Sequence, residues 1–205
     1  MRAPASRPRR LVLIAASFAA TLVAAGAPAA RAVTATTFHA LTPARLEDTR
    51  SGPAFTTVDG LGAGGGSLGP GQTIELAVRG RGGVPLHGAG SVALNVTATE
   101  ATTATFVTVF PGGVRPNAST VNVVPGQTVA NSTIVRLSAD GTVSIYNSLG
   151  DVHLVVDVLA WVPAGPAFTG VDPARLLDTR SGPGIATVDG QFLGGGARAG
   201  GSTLD

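Results

Sequence analysis

The chain has 205 residues, no cysteine and no lysine, and fourteen arginines stand against twelve carboxylates. Without cysteine, neither disulfide bonds nor thiolate metal sites can hold the fold, so stability must come from a hydrophobic core. Five of the arginines lie in residues 1–32, and the remaining nine leave residues 33–205 with a net charge of −3. Because those nine are scattered, the sequence predicts no nucleic-acid partner.

Residues 1–32 predict a secretory signal peptide. Four arginines precede an apolar run over residues 11–25, and Ala30 and Ala32 supply the small residues before a cleavage point, which makes Val33 the first mature residue. A single-pass anchor is the alternative, but the run of about fifteen residues is shorter than the roughly 20 that cross a bilayer. We therefore expect a secreted or cell-wall-associated protein with no membrane attachment after cleavage.

An internal repeat organises the chain after the signal. Residues 38–53 return as residues 168–183, and the same offset of 130 carries residues 57–60 onto 187–190 and 64–66 onto 194–196. We expect one domain over residues 33–162, a proline- and glycine-rich linker over 163–167, and an incomplete second copy over 168–205. The chain is then either a fragment of a longer tandem protein or a unit with a tail. Lacking a sheet to pack on, that second copy is predicted to be poorly ordered.

Alternating apolar residues, many of them β-branched, predict an antiparallel β-sandwich of the jelly-roll or immunoglobulin-like type. Residues 59–71 are rich in glycine and predict an extended surface loop, and Asp140-Gly141 predicts the tip of a hairpin over residues 136–146. About eight strands are expected, over residues 38–46, 72–78, 92–96, 106–110, 120–124, 128–137, 142–146 and 153–159.

One group of charged residues survives in both copies of the repeat. Arg45, Asp48 and Arg50 return at the same offset of 130. The structural interpretation is a partly buried corner in which the two arginines neutralise the aspartate, because buried carboxylates need such partners. The functional interpretation is an arginine pair that binds a carboxylate, a sulfate or a sugar acid. The sequence favours the structural interpretation.

The sequence predicts no catalytic, metal-binding or cofactor-binding residues. Residues 65–69 match the nucleophile-elbow pattern, but glycine is dense there and no helical periodicity follows. His39, His87 and His153 have no second ligand at metal-binding spacing, and Thr169 replaces His39 in the second copy. These histidines are interpreted as surface residues of strands or loops.

Five segments of the chain carry a family pattern, and they are residues 41–50, 92–97, 115–119, 126–131 and 143–148. They resemble repeat modules found in secreted proteins of actinobacteria, some of them appended to exported hydrolases. The resemblance implies an extracellular, β-rich accessory module and brings no catalytic residues with it. Glu47 departs from the leucine of this pattern, which Leu177 retains, and we expect it to weaken packing there.

The expected function is non-catalytic binding or adhesion in the cell envelope or outside the cell, with a cell-wall polysaccharide or an extracellular protein as partner. The alternative is the N-terminal accessory region of a longer exported hydrolase, with a carbohydrate-binding role. One tryptophan, Trp161, and one tyrosine, Tyr146, are few for a sugar-stacking surface. A third hypothesis is an autonomous enzyme that uses dispersed aspartate and serine residues.

Overall fold

The computed structural model describes residues 38–165 and 168–203. The predicted signal peptide, and residues 166–167 of the predicted linker, lie outside the described residues. The described chain is all-β, with eight strands in two antiparallel four-stranded sheets, which confirms the predicted sandwich. The strands are β1 (His39–Asp48), β2 (Thr73–Ala77), β3 (Ala89–Thr99), β4 (Thr105–Phe110), β5 (Val121–Val123), β6 (Val129–Arg136), β7 (Thr142–Asn147) and β8 (His153–Pro163).

The strand pairing is nested, from the ends of the domain inward. One sheet has the order β1-β8-β3-β6 and the other has the order β2-β7-β4-β5. Strand β1 therefore pairs with β8, β2 with β7, β3 with β6 and β4 with β5. A long double-stranded ribbon rolled into two sheets gives this order, which is that of an eight-stranded jelly roll rather than an immunoglobulin domain.

The core lies between the two sheets and consists mainly of valine and leucine. Strand β8 shows why the sequence forms strands, because its buried and partly exposed residues alternate from Val156 to Pro163. The side chains of Leu94, Ile145 and Leu154 are fully buried in one continuous cluster that spans both sheets. This cluster supplies the stabilisation that a cysteine-free chain needs.

The predicted hairpin over residues 136–146 is wrong. Strand β6 pairs with β3, whereas β7 pairs with β2 and β4 in the other sheet. The turn itself exists, since Gly141 donates its amide to the carbonyl of Ser138 at 3.0 Å and has φ of +81°. Asp140-Gly141 therefore makes a tight turn that carries the chain from one sheet to the other. The residues that favour a tight turn do not distinguish a hairpin within one sheet from a connection between two sheets.

The described part of the second copy, residues 168–203, contains isolated β-bridges, and none of the eight strands lies in it. Several of its large apolar side chains are exposed, among them Leu176, Val188 and Phe192. No helix in the described parts of the chain is long and apolar enough to span a membrane.

Candidate functional site

The repeated charged group lies at the end of β1, where Asp48 is fully buried. Arg50 holds it with two side-chain bonds, from Nε to Oδ1 at 2.9 Å and from Nη2 to Oδ2 at 2.8 Å, and Arg45 Nη1 lies 3.1 Å from Oδ2. Burial favours the neutral carboxyl, but the hydrogen bonds from Arg50 and the charges of both arginines outweigh it and lower the pKa of Asp48. The carboxylate is therefore ionised and paired.

The two arginines are themselves engaged on their outer sides. Arg45 donates from Nε to Asp157 Oδ1 of β8 at 3.1 Å, and the guanidinium of Arg50 lies 4.1 Å from the centre of the Phe55 ring. The hydrogen bond to Asp48 raises the pKa of Arg50. Because their donors are directed to carboxylates of the same chain, the geometry favours the structural interpretation of this group.

Thr49 ties the same corner to β8. Its side chain is buried, and its Oγ1 accepts a bond from the amide of Leu154 at 2.9 Å. The same oxygen lies 2.9 Å from Nδ1 of His153, so this histidine has a structural partner. His39 stacks on Trp161 with ring centres 4.0 Å apart. No group of three metal-ligating side chains occurs among the residues described.

The glycine-rich loop lies against this corner and bonds to its backbone. The amide of Asp48 donates to the carbonyl of Gly62 at 2.9 Å, and the amide of Gly64 donates to the carbonyl of Asp48 at 2.8 Å. Gly62 has φ of +71°, and a Cβ there would lie 2.7 Å from the carbonyl oxygen of Leu46. A side chain at Gly62 is therefore disfavoured by both conformation and space, although Phe192 occupies the equivalent position of the second copy with φ of +53°. Residues 59–71 form a loop as predicted, with Leu68 buried.

Arg81 is a structural centre that sequence reasoning missed. It is buried, and its guanidinium makes two bonds to Asp59, at 2.6 and 2.8 Å. It also donates to the carbonyls of Leu46, Leu61 and Ala77 at 2.8 to 2.9 Å. The hydrogen bonds from Arg81 lower the pKa of Asp59 to about 2. The one available signal was that Asp59 recurs in the repeat, which marks a residue in need of a partner.

The second copy rebuilds the corner without a sandwich around it. Asp178 is 7% exposed, and Arg180 holds it with bonds of 2.9 and 2.7 Å while Arg175 lies 3.0 Å away. The hydrogen bonds from Arg180 lower the pKa of Asp178 to about 2. The loop bonds also recur, from the amide of Asp178 to Phe192 and from the amide of Gly194 to Asp178. All of these bonds lie within residues 175–196.

Two of the differences between the copies concern burial and charge. Leu46 is fully buried in the first copy, whereas its counterpart Leu176 is 66% exposed. The first corner also contains Asp157, which neutralises Arg45, and none of the described residues takes that position beside Arg175. The first corner is therefore electrically balanced, and the second retains one unbalanced positive charge.

The second copy touches the sandwich through polar contacts. Arg136 of β6 pairs with Asp172 at 2.8 Å, and Asn117 Nδ2 donates to the carbonyl of Ala186 at 3.0 Å. A cavity of about 360 Å³, which we call the seam cleft, lies between the sandwich and the second copy. Its principal lining residues are Phe106, Arg115, Asn117, Asn122, Arg175 and Arg180.

No model of a protein family and no curated protein sequence matches this chain.

Proposed function

We propose that this chain is an exported, non-catalytic β-sandwich module that binds a component of the cell envelope or of the extracellular surroundings. The observation that carries the proposal is the recurrence of the charged corner. A motif that keeps its ion pairs and loop bonds in two successive copies is the hallmark of a unit used repeatedly along one chain. Repeated units of this kind are suited to binding extended polymers through several weak contacts.

The use of the charged side chains supports a binding role over an enzymatic one. Asp48, Asp59 and Asp178 are each held ionised by arginine, with pKa values lowered rather than moved toward neutrality. A general acid or base works best with a pKa near the working pH. These three carboxylates are therefore suited to holding loops in place and poorly suited to transferring protons.

A retention experiment tests this proposal. The mature chain, residues 33–205, is incubated with purified cell wall, with soluble neutral and acidic polysaccharides, and with extracellular matrix protein. We expect saturable retention on at least one of these materials, without release of soluble products. The matched control is the same chain, heat-denatured before incubation. Absence of retention on every material, or equal retention of the denatured chain, would contradict the proposal.

A further inference from the structure

The seam cleft combines three guanidinium groups with amide side chains. Arg115 enters from the loop between β4 and β5, and Arg175 and Arg180 enter from the second copy. Asn117 and Asn122 lie beside them on the sandwich. Among the described residues that line the cleft there is no carboxylate, and Asp178 behind it balances only one of the three charges. The cleft therefore has a net charge of about +2.

The guanidinium of Arg115 is held in position without being neutralised. It lies 4.3 Å from the centre of the Tyr146 ring, over one face of the phenol. Its one protein hydrogen bond among the described residues is a long contact of 3.5 Å to the carbonyl of Pro116. Stacking on an aromatic ring fixes the plane of a guanidinium and leaves the edge N–H groups available to an anion.

The two copies of the corner provide an internal comparison. In the first copy, Asp157 takes the outer Nε donor of Arg45. In the second copy, Arg175 makes its ion pair with Asp178, and no described carboxylate occupies the outer position. In the first copy the outer donor of Arg45 is therefore bonded to a carboxylate. In the second copy Arg175, which lines the cleft with Arg115, retains donors for a ligand.

From these observations we infer that the seam cleft binds the anionic groups of an acidic polysaccharide. Planar guanidinium groups form paired hydrogen bonds with carboxylate and phosphate oxygens, and asparagine amides bind sugar hydroxyls. The Phe106 ring in the wall offers an apolar surface to the sugar. A carboxylate on a uronic acid and a phosphate in a sugar-phosphate polymer present the same chemistry here. This inference rests on the proposed binding function and names its ligand class.

The site requires both copies of the repeat. Arg115 belongs to the sandwich, and the other two arginines belong to residues 168–203, so neither half alone collects the three charges. Exposed polar contacts connect the two halves, between Arg136 and Asp172 and between Asn117 and Ala186. This explains how an accessory module with few aromatic residues binds a polymer through charge instead of ring stacking.

Binding of the mature chain to three polymers of similar length tests the inference. The polymers are polygalacturonate, a phosphomannan and neutral dextran, measured by isothermal titration calorimetry at low and moderate salt. We expect binding to one or both anionic polymers, no binding to dextran, and weakening as salt rises because the contacts are exposed. The two anionic polymers distinguish a carboxylate ligand from a phosphate ligand.

The variants are Arg115→Ala in the cleft and Arg198→Ala outside it, which remove the same charge. We expect Arg115→Ala to weaken binding by about tenfold, as for the loss of one charge-assisted contact, and Arg198→Ala to change it by less than about twofold. Arg115 is exposed, so circular dichroism should show both variants folded. Truncation after Pro163 should also abolish the anionic binding, since it removes two of the three arginines.

Equal effects of Arg115→Ala and Arg198→Ala would overturn the cleft assignment, as would no binding to either anionic polymer. If the chain is still retained on cell wall or on a neutral polysaccharide, the proposed binding function stands and only the cleft is wrong. If it is retained on nothing, both proposals fail.

Discussion

Asp48→Asn should destabilise the sandwich strongly, because the substitution removes the charge that two arginines surround. The fully buried carboxylate accepts three side-chain hydrogen bonds of 2.8 to 3.1 Å from Arg45 and Arg50. Asparagine can accept at only one oxygen and would direct an amide group toward a guanidinium. Breaking a buried ion pair from one side costs about 3–5 kcal/mol. Domains of this size have a free energy of unfolding of about 5–15 kcal/mol, so the loss is a large fraction of the total.

Urea unfolding of residues 33–205, followed by the fluorescence of Trp161, measures this loss. Trp161 lies in β8, next to the strand that carries Asp48, and it is the one tryptophan of the sequence. We expect the urea concentration at the midpoint to fall, without a large change in the slope of the free energy of unfolding against urea concentration. The corresponding thermal midpoint should fall by about 10 °C or more, given a few degrees per kcal/mol.

Asp178→Asn is the matched control, since it makes the same change in a corner that no sandwich surrounds. We expect its unfolding curve, followed by Trp161, to coincide with that of the unchanged chain. If Asp48→Asn costs less than about 1 kcal/mol, its ion pairs behave as surface pairs. If both variants are equally destabilised, the second corner is part of the sandwich. Either result would refute the reasoning.

Four further outcomes are expected. Gly62→Ala should destabilise the chain more than Gly60→Ala in urea unfolding, because both have positive φ but only Gly62 faces a carbonyl within 3 Å. Burial raises the pKa of Glu47, so its ionisation weakens folding as pH rises above about 4.5, and Glu47→Leu should raise the thermal midpoint at pH 7. The pKa of Asp59 is lowered to about 2, so its stabilisation is complete above about pH 4 and is lost as pH falls toward 2, as acid titration followed by circular dichroism should show. Truncation after Pro163 should leave the thermal midpoint of the sandwich within about 2 °C of that of the untruncated chain. The contacts between the second copy and the sandwich are exposed, and such pairs contribute about 0–1 kcal/mol. A fall of several degrees would show that the second copy packs on the sandwich.

The strands were predictable because alternation of apolar residues is a local property of the sequence. All eight predicted segments overlap strands of the structure. The pairing was not predictable, since a tight turn at Asp140-Gly141 serves equally well within a sheet and between sheets. What decides between them is the burial of β6 and β7 against distant partners, which no short window contains.

The charged corner around Asp48 was predictable because its residues recur in the second copy. Arg81 was not predictable because most of its hydrogen-bond acceptors leave no pattern in the sequence. Three of its acceptors are backbone carbonyls, which have no residue identity and leave no pattern in a sequence. The effect of Glu47 on packing stays a prediction, and burial raises the pKa of its carboxyl group. The seam cleft was beyond prediction, because it forms between segments about sixty residues apart.

The nested pairing of the strands has a consequence for how the domain is made. Strand β8 is the last to be synthesised, yet it lies between β1 and β3 and joins them into one sheet. A growing chain that has not reached His153 lacks the strand that pairs with β1 and that joins it to β3. Such long-range closure is intrinsically slow and cannot begin early. The sheet that contains β1 therefore stays incomplete until the last of the eight strands has been synthesised.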